Sequence, residues 1–376
     1  MSVDANGPSM ESHDESPGIG ETRIEGSCVS VALSSINKEA FDDWYRAREF
    51  RQNIRDGKPY FNGASTVPHA SRHSPSSLLQ CHRKIVYQQE NAPEERRNAR
   101  GILWTGQEIE KKVVVPFLQD VVATDEIFIR NSVWIDFAIE TKQGDLRIKG
   151  VTDPVLVDEE STPLLPTEIK TTSSLDYLDG PKPHHVAQLH AYQVGLSRKY
   201  DLEVTEGILV YVSRESLELE AFHVEFNAEF WEETVVKWAV THSDYRLNDK
   251  LPPDEPEQSW ECKFCSYRER CGKGTSKYAD VGVLGFVPQY REYPREKVVE
   301  YLESRDDAQL TPALANTYPE LAEEYDVVAW ECPRCCAAYT IGDTRFQETV
   351  EQPLCPDCAA EDSIVELRPP VTVGEK

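Results

Sequence analysis

The stretch GVTDPVLVDEESTPLLPTEIKTT, residues 150–172, carries three side chains able to share one reaction: Asp153, Glu168 and Lys170. Two extended apolar runs flank the polar DEESTP, which predicts a β-hairpin. Pairing Val157 with Leu164 makes opposed residue numbers sum to 321, so Asp153 faces Glu168 on one side of the sheet. Lys170 lies two residues further on and shares that side, while the Ile169 side chain points into the core. Pro154 cannot donate to a ladder and implies an edge or a bulge. Two adjacent carboxylates repel unless a cation lies between them, and hard oxygen ligands suit Mg²⁺ or Mn²⁺. Such an ion polarises a phosphodiester and lowers the pKa of an attacking water. Lys170 could orient that water or offset growing charge. The bare D…ExK pattern by itself favours the plainer reading, an ion-pair ladder across a hairpin.

Further residues could join this chemistry. In HHVAQLHAYQVGL, Gln188 and Tyr192 lie four apart on one helix face and could reach a substrate backbone or a metal's water. Alone, the pair reads first as a half-buried helix face. The stretch WECKFCSYRERCGKG holds Cys262, Cys265 and Cys271, one thiol short of a closed four-ligand site. Cys81, far upstream, is a candidate fourth, although spacing cannot assign it. Near the end, Cys332, Cys335, Cys355 and Cys358 form two C-x₂-C pairs, each with Pro after its first Cys. That spacing predicts a zinc ribbon whose four thiolates leave no open position, hence a structural Zn²⁺. Cys336 is spare, and Cys28 has no companions.

The elements that must position these groups are legible in outline. Helical patterns run from Asn37 to about Arg55, through SPSSLLQCHRKIVYQQE with Ser76 or Ser77 as its cap, and through RGILWTGQEIEKKVVVPFLQDV. Extended runs follow in EIFIRNSVWIDFAIE, DLRIKGVTDPVLVD and LLPTEIKTT. A helix at about 183–196, strands GILVYVS and LELEAFHVEF, and a long helix from about Ala228 to Leu247 complete the order. This order predicts an α/β fold with a mixed sheet and flanking helices. The expected divisions are an acidic disordered stretch at 1–25, a helical segment at 26–75 and the α/β domain at 76–275. A linker with short helices at 276–328 and a zinc ribbon at 329–370 follow.

Sixty-six acidic residues against forty basic ones give a net charge of −26, with 23 Arg and 17 Lys. An acidic, Lys-poor surface suits a cytosol rich in salt, as in a halophile, where hydrated carboxylates keep a protein dissolved. No run resembles a membrane span and the start lacks an apolar signal region, so a cytoplasmic location without membrane contact is expected. Ten cysteines in such a chain point to metals. Basic residues among aromatics at WYRAREFRQNIRDGK, and the run CHRKIVYQQENAPEERRNARG, could track phosphates; solvated helix faces look the same.

Taken in order, Cys81, G-x-x-D (Gly150–Asp153), E-x-K (Glu168–Lys170), Q-x-x-x-Y (Gln188–Tyr192) and C-x₂-C-x₅-C resemble the RecB-type PD-(D/E)XK nucleases that carry an iron–sulfur cluster. The pattern is most similar to the four-cysteine CRISPR-associated exonucleases, with relatives among the AddB helicase–nucleases, and spans roughly residues 75–275. The resemblance implies a restriction-endonuclease-like fold and a [4Fe–4S] cluster on Cys81, Cys262, Cys265 and Cys271. It implies Asp153, Glu168, Lys170, Gln188 and Tyr192 as the catalytic set. Gln107, Asp153, Glu168 and Ile169 are the positions expected around a Mg²⁺ or Mn²⁺ ion. The family has a His where TGQEIEKKV offers Gln107, a weaker ligand. The implied activity is exonuclease action on single-stranded DNA or frayed ends, in CRISPR spacer acquisition with CRISPR integration proteins as partners. A repair or recombination nuclease without those partners, or a non-catalytic DNA-binding scaffold, remain as alternatives.

Overall fold

The structure is a computed structural model that describes residues 34–55, 67–97, 99–256, 258–276, 282–340 and 354–368. The acidic stretch 1–25 and Cys28 lie outside the described residues. The chain divides into two units, Met1–Asn62 and Gly63–Lys376. In the first, a helix spans Lys38–Arg55, and the Asn37 side chain accepts from the Ala40 N–H at 2.8 Å to cap it. Phe41 and Trp44 lie exposed on this helix with ring centroids 5.7 Å apart.

The second unit holds ten short strands among its described residues. β1 is Arg72–His73, β2 Phe128–Arg130, β3 Trp134–Ile139, β4 Leu146–Val151 and β5 Val155–Val157. β6 is Pro163–Thr172, β7 Glu206–Ser213, β8 Leu219–Glu225, β9 Trp330–Glu331 and β10 Ala338–Tyr339. The runs expected in one mixed sheet fall into two: β2-β5-β6-β7-β8 and β1-β4-β3. β6 and β7 are parallel, the other pairs of the larger sheet antiparallel. Parallel neighbours cannot be joined by a tight turn. The connection is therefore the helix Pro183–Tyr200, longer than the 183–196 expected.

That crossover helix is the centre of the unit. It buries Ala187, Leu189, Ala191, Tyr192 and Leu196 in one core with Ile135, Phe137 and Ile148 of the small sheet and Leu209 and Tyr211 of the large one. Small residues let it approach both sides: a Cβ on Gly195 would lie 2.9 Å from Ile135, and one on Gly207 3.0 Å from Leu189. The other face of the large sheet packs Ile169, Val210 and Val212 against Ile109, Val114 and Leu118. Those three belong to a helix that starts as Arg100–Ile109 and continues through π-type turns at Glu110–Val114 and Leu118–Val122. Pro116 lies between the two π-type turns, where its missing N–H breaks the regular ladder.

Two local expectations are corrected. The helix after SPSSLLQ does not begin at a serine cap: Pro75–Ser77 forms a 3₁₀ turn, Leu79 takes a left-handed φ of 56°, and Cys81 caps the helix His82–Gln89. In the hairpin, Val155 faces Pro166 and Leu156 faces Leu165, keeping the sum of 321, but Val157 pairs with Pro163 instead of Leu164. The turn accounts for this slip. Asp158 accepts from Thr162 N–H at 2.7 Å and Ser161 adopts φ 64°, so the loop closes one residue earlier and Leu164 bulges to 46% exposure.

Residues beyond 281 build a separate small core around Phe286, Tyr293, Tyr301, Leu310 and Leu314, with helices Arg295–Glu303 and Pro312–Thr317. β9 and β10 pair antiparallel beside the C-terminal cysteines.

The central helix generates a packing test. Gly195→Ala places a methyl against Ile135 and should cost about 1–3 kcal/mol. Gly101→Ala, with nothing within 4 Å, should be neutral or stabilising by up to about 1 kcal/mol. Thermal melts of the two variants check the contrast.

Candidate active site

The open end of the hairpin brings the sequence-predicted groups together. Asp153 precedes β5, and its Oδ2 accepts the Ile169 N–H at 2.8 Å. Pro154 also stands outside the strand, where its carbonyl accepts from Thr167 N–H at 3.0 Å and from the Thr167 hydroxyl at 2.7 Å. Its lack of a donor therefore leaves no gap in the ladder. Glu168 and Lys170 project from β6 toward the crossover helix, with Glu168 fully buried. The Lys170 ammonium makes an ion-pair contact with Glu168 and donates to Gln188 Oε1 at 3.0 Å. Gln188 Nε2 in turn donates to the Tyr192 hydroxyl at 2.7 Å. The 188/192 pair is thus joined to β6 instead of forming a mere half-buried face.

Electrostatics separate this arrangement from a surface ladder. Burial, and then the neighbouring Asp153 carboxylate, push Glu168 up from 4.5 to about 8; Lys170 and Tyr192 pull it back. Burial raises Asp153 too. Lys170 and Tyr192 lie against Glu168, yet neither of its oxygens receives a donor at ordinary hydrogen-bond geometry. A buried carboxylate pair short of positive charge is what a divalent cation satisfies, and its oxygen donors match Mg²⁺ or Mn²⁺. From Ile169 only the main-chain oxygen could contribute, because the side chain lies in the core. Gln107 is exposed, on a helix that turns Gly106 and Ile109 to the sheet; a Cβ on Gly106 would lie 3.1 Å from the Thr171 hydroxyl.

Sequence reading missed three groups beside the site. Tyr211 is the cross-strand partner of Lys170. Its hydroxyl accepts the Lys182 N–H at 3.0 Å and meets His185 Nδ1 at 2.8 Å. Because that oxygen accepts from Lys182, its own proton is free to go to His185. Burial drives His185 down to about 2, so the ring is neutral. The spacing 185/188/192 was visible as a helical face; the parallel pairing that brings Tyr211 alongside was not.

Cys81, Cys262, Cys265 and Cys271 line one open pocket, together with Arg83, Lys84, Arg268 and Lys273 and the acidic Asp254 and Glu261. Cys81 is held there by Glu261, which accepts its N–H at 3.2 Å, and by Trp238, whose indole donates to the Gln80 carbonyl at 3.1 Å. Arg83 donates to the carbonyls of Pro252 and Cys271. Burial raises Cys265 to about 12 and raises Cys81 and Cys271 as well. Unliganded, these thiols stay protonated. The C-terminal group differs: Cys332, Cys335, Cys355 and Cys358 lie within 4.8 Å of one another, with sulfur pairs at 3.6 and 3.5 Å. Tetrahedral Zn–S bonds of roughly 2.3 Å hold sulfurs about 3.8 Å apart, so this group fits a single metal ion. Cys336, exposed with φ 57°, stands outside it.

Residues 60–272, more than half of the chain, match the PD-(D/E)XK nuclease superfamily. The chain belongs to that superfamily. PD-(D/E)XK proteins are typically nucleases and use divalent metals. No curated protein matches the chain. Among solved structures it is similar to the crystal structure of SSO0001, at 18% identity and TM-score 0.40, over 61% of this chain and 97% of that one. It is also similar to Rai1 of Scheffersomyces stipitis, at 14% identity and TM-score 0.18, over 32% and 33%. Likenesses at this level add nothing to the superfamily assignment. No helix among the described residues is long and apolar enough to cross a membrane.

The raised Glu168 pKa has a thermodynamic sign. Its folded value, about 8, lies above the ordinary 4.5, so its contribution to stability is full below about pH 4.5 and is lost as pH rises toward 8. Without added divalent cation, the wild-type melting temperature should fall across that window relative to Glu168→Gln. Mn²⁺ should restore it at the alkaline end. A wild-type profile parallel to the variant's would contradict the shift.

Proposed function

We propose that the chain is a metal-dependent deoxyribonuclease that shortens single-stranded DNA or frayed ends. The observation that carries this reading is the fully buried Glu168, charge-deficient beside Asp153 and clamped by Lys170. Asp153, Glu168 and the Ile169 carbonyl would hold Mg²⁺ or Mn²⁺. When bound, the ion would polarise the phosphodiester and lower the pKa of the attacking water. Lys170, fixed by Glu168 and Gln188, orients that water and offsets charge on the phosphorane as the new P–O bond forms and an ester P–O bond breaks. Tyr192 keeps Gln188 in place; burial and the two carboxylates hold its hydroxyl protonated, well above 10.

Cys81, Cys262, Cys265 and Cys271 would hold a [4Fe–4S] cluster. Their thiols share one pocket without closing to within 4.8 Å as the ribbon's do, which suits a multinuclear centre better than one ion. Arg83, Lys84, Arg268 and Lys273 outnumber Asp254 and Glu261 in the lining, a surround that offsets part of the charge of a thiolate-bound cluster. The ribbon would hold Zn²⁺. End-directed action, preference for single strands and trimming of DNA for CRISPR spacer acquisition rest on the resemblance in motif order, as does a cytoplasmic location. The same chemistry would serve repair or recombination.

Glu168→Ala and Lys170→Ala should each abolish release of label from end-labelled single-stranded DNA in Mn²⁺, while DNA binding persists because other residues position the backbone. Wild-type rates in both variants would return the trio to an ordinary ion-pair ladder. Anaerobically purified protein should contain about four iron and four sulfide per chain, and about one zinc. Cys81→Ala should lose the iron and keep the zinc; a wild-type protein with zinc alone would remove the cluster.

A further inference from the structure

Trp260 stands immediately before the helix Glu261–Phe264 with its own backbone already helical, so Phe264, four residues on, shares its side. Both rings are open to solvent, Trp260 at 41% and Phe264 at 74% exposure. The Lys182 ammonium lies 5.5 Å from the Trp260 ring centroid, and the His184 ring 5.8 Å from it. We infer that Trp260 and Phe264, with Lys182 beside them, form a stacking platform for the bases of single-stranded DNA on its way to Glu168 and Lys170. This rests on the nuclease reading given above and names how its substrate is held.

Position supports the assignment. The backbone N–H of Lys182 donates to the Tyr211 hydroxyl, and Tyr211 is the cross-strand partner of Lys170. The platform is therefore two residues removed from the reacting centre. On its other side Glu261 follows Trp260 and accepts from Cys81 N–H, which ties the residue next to the indole to the segment at Cys81. Charge supports it as well. In a chain of net charge −26 a polyanion is repelled from most of the surface. Lys182, Lys170 and Lys84 nevertheless all act on His184, whose ring burial keeps neutral. Lysine charge beside two solvent-exposed aromatic rings is complementary to phosphates flanked by unstacked bases. Duplex bases have no free faces, so the platform selects for single strands. A protein partner could cover the same rings, but would not require three converging lysines beside the carboxylate pair.

The test uses the full chain with Ca²⁺ in place of Mn²⁺, and fluorescein-labelled oligo(dT) against a blunt duplex of equal length. Trp260→Ala should weaken oligo(dT) binding on the order of tenfold, the usual effect of losing one base–aromatic stack. Duplex binding should stay unchanged, and Trp260→Tyr should restore most of the loss. Trp134→Ala provides the matched control. Trp134 is 48% exposed with Lys149 5.2 Å from its ring, the same surface chemistry on the small sheet. Unchanged oligo(dT) binding by Trp260→Ala overturns the platform, as do equal losses on both DNAs or an equal loss in Trp134→Ala. If the wild type binds single strands but never cleaves them in Mn²⁺, while Trp260→Ala loses that binding, the nuclease reading fails and the platform stands. If the wild type cleaves and Trp260→Ala binds as tightly as it does, the platform fails and the nuclease reading stands. A wild type that binds no single strands overturns both.

Discussion

Glu168 is fully buried, and an ionised carboxylate in such a place costs several kcal/mol unless positive charge surrounds it. The α/β unit is arranged around that demand. Parallel pairing of β6 with β7 requires a helical crossover, and this crossover lies over the face from which Glu168 and Lys170 project. Gln188 then comes within reach of the Lys170 ammonium, and Tyr192 within reach of Gln188. Lys170 alone does not neutralise Glu168 and Asp153, since both stay raised in its presence. The remaining deficit distinguishes this pair from a surface ion-pair ladder. A fold that needed only stability would have placed apolar side chains here.

The two cysteine groups are two answers to the same chemistry. In the ribbon the sulfurs already stand at single-ion spacing, and Trp330, Tyr339 and Leu367 pack round them as the nearest thing to a core. Around Cys81 the thiols are spread over an open pocket whose cations come from both the upstream helix and the downstream loop. The strongly acidic composition gives those few lysines and arginines their meaning. Where a chain is this negative, a local cluster of positive charge is a place prepared for negative charge.

Short-range periodicity made the strands, the long helices and the register of Val155 and Leu156 legible in the sequence. Asp153 and Glu168 followed from that register. The slip at Val157 was not legible, because it arises from how Asp158 and Ser161 close the turn. The cap at Cys81 was missed for a similar reason: Leu79 reverses the chain in a conformation that a leucine rarely adopts. Division into two sheets depends on β1 pairing with β4, a contact across some seventy residues. Tyr211, His185 and Trp260 were hidden because each acquires its meaning from a neighbour distant in sequence. The glycine of the G-x-x-D motif gained a cause only in three dimensions: a Cβ on Gly150 would lie 2.7 Å from the Pro75 ring.

The hydrogen bonds from Cys81, Arg83 and Arg246 tie residues 68–90 to residues 246–271. The strands that carry Glu168, Lys170 and Tyr211 are complete by Ser213, yet the segment that carries Cys262, Cys265, Cys271 and Trp260 arrives much later. Contacts of such long sequence separation form slowly, since the loop must close before they stabilise anything. During synthesis from the N-terminus the carboxylate pair can therefore be assembled well before the thiol pocket. A chain cut short near residue 250 would have its β-sheet, its acidic pair and the Trp238 and Arg246 contacts of the helix His82–Gln89, but neither Glu261 nor the three later thiols beside Cys81. Order of appearance thus separates the two halves of the site in time as the sequence separates them in space.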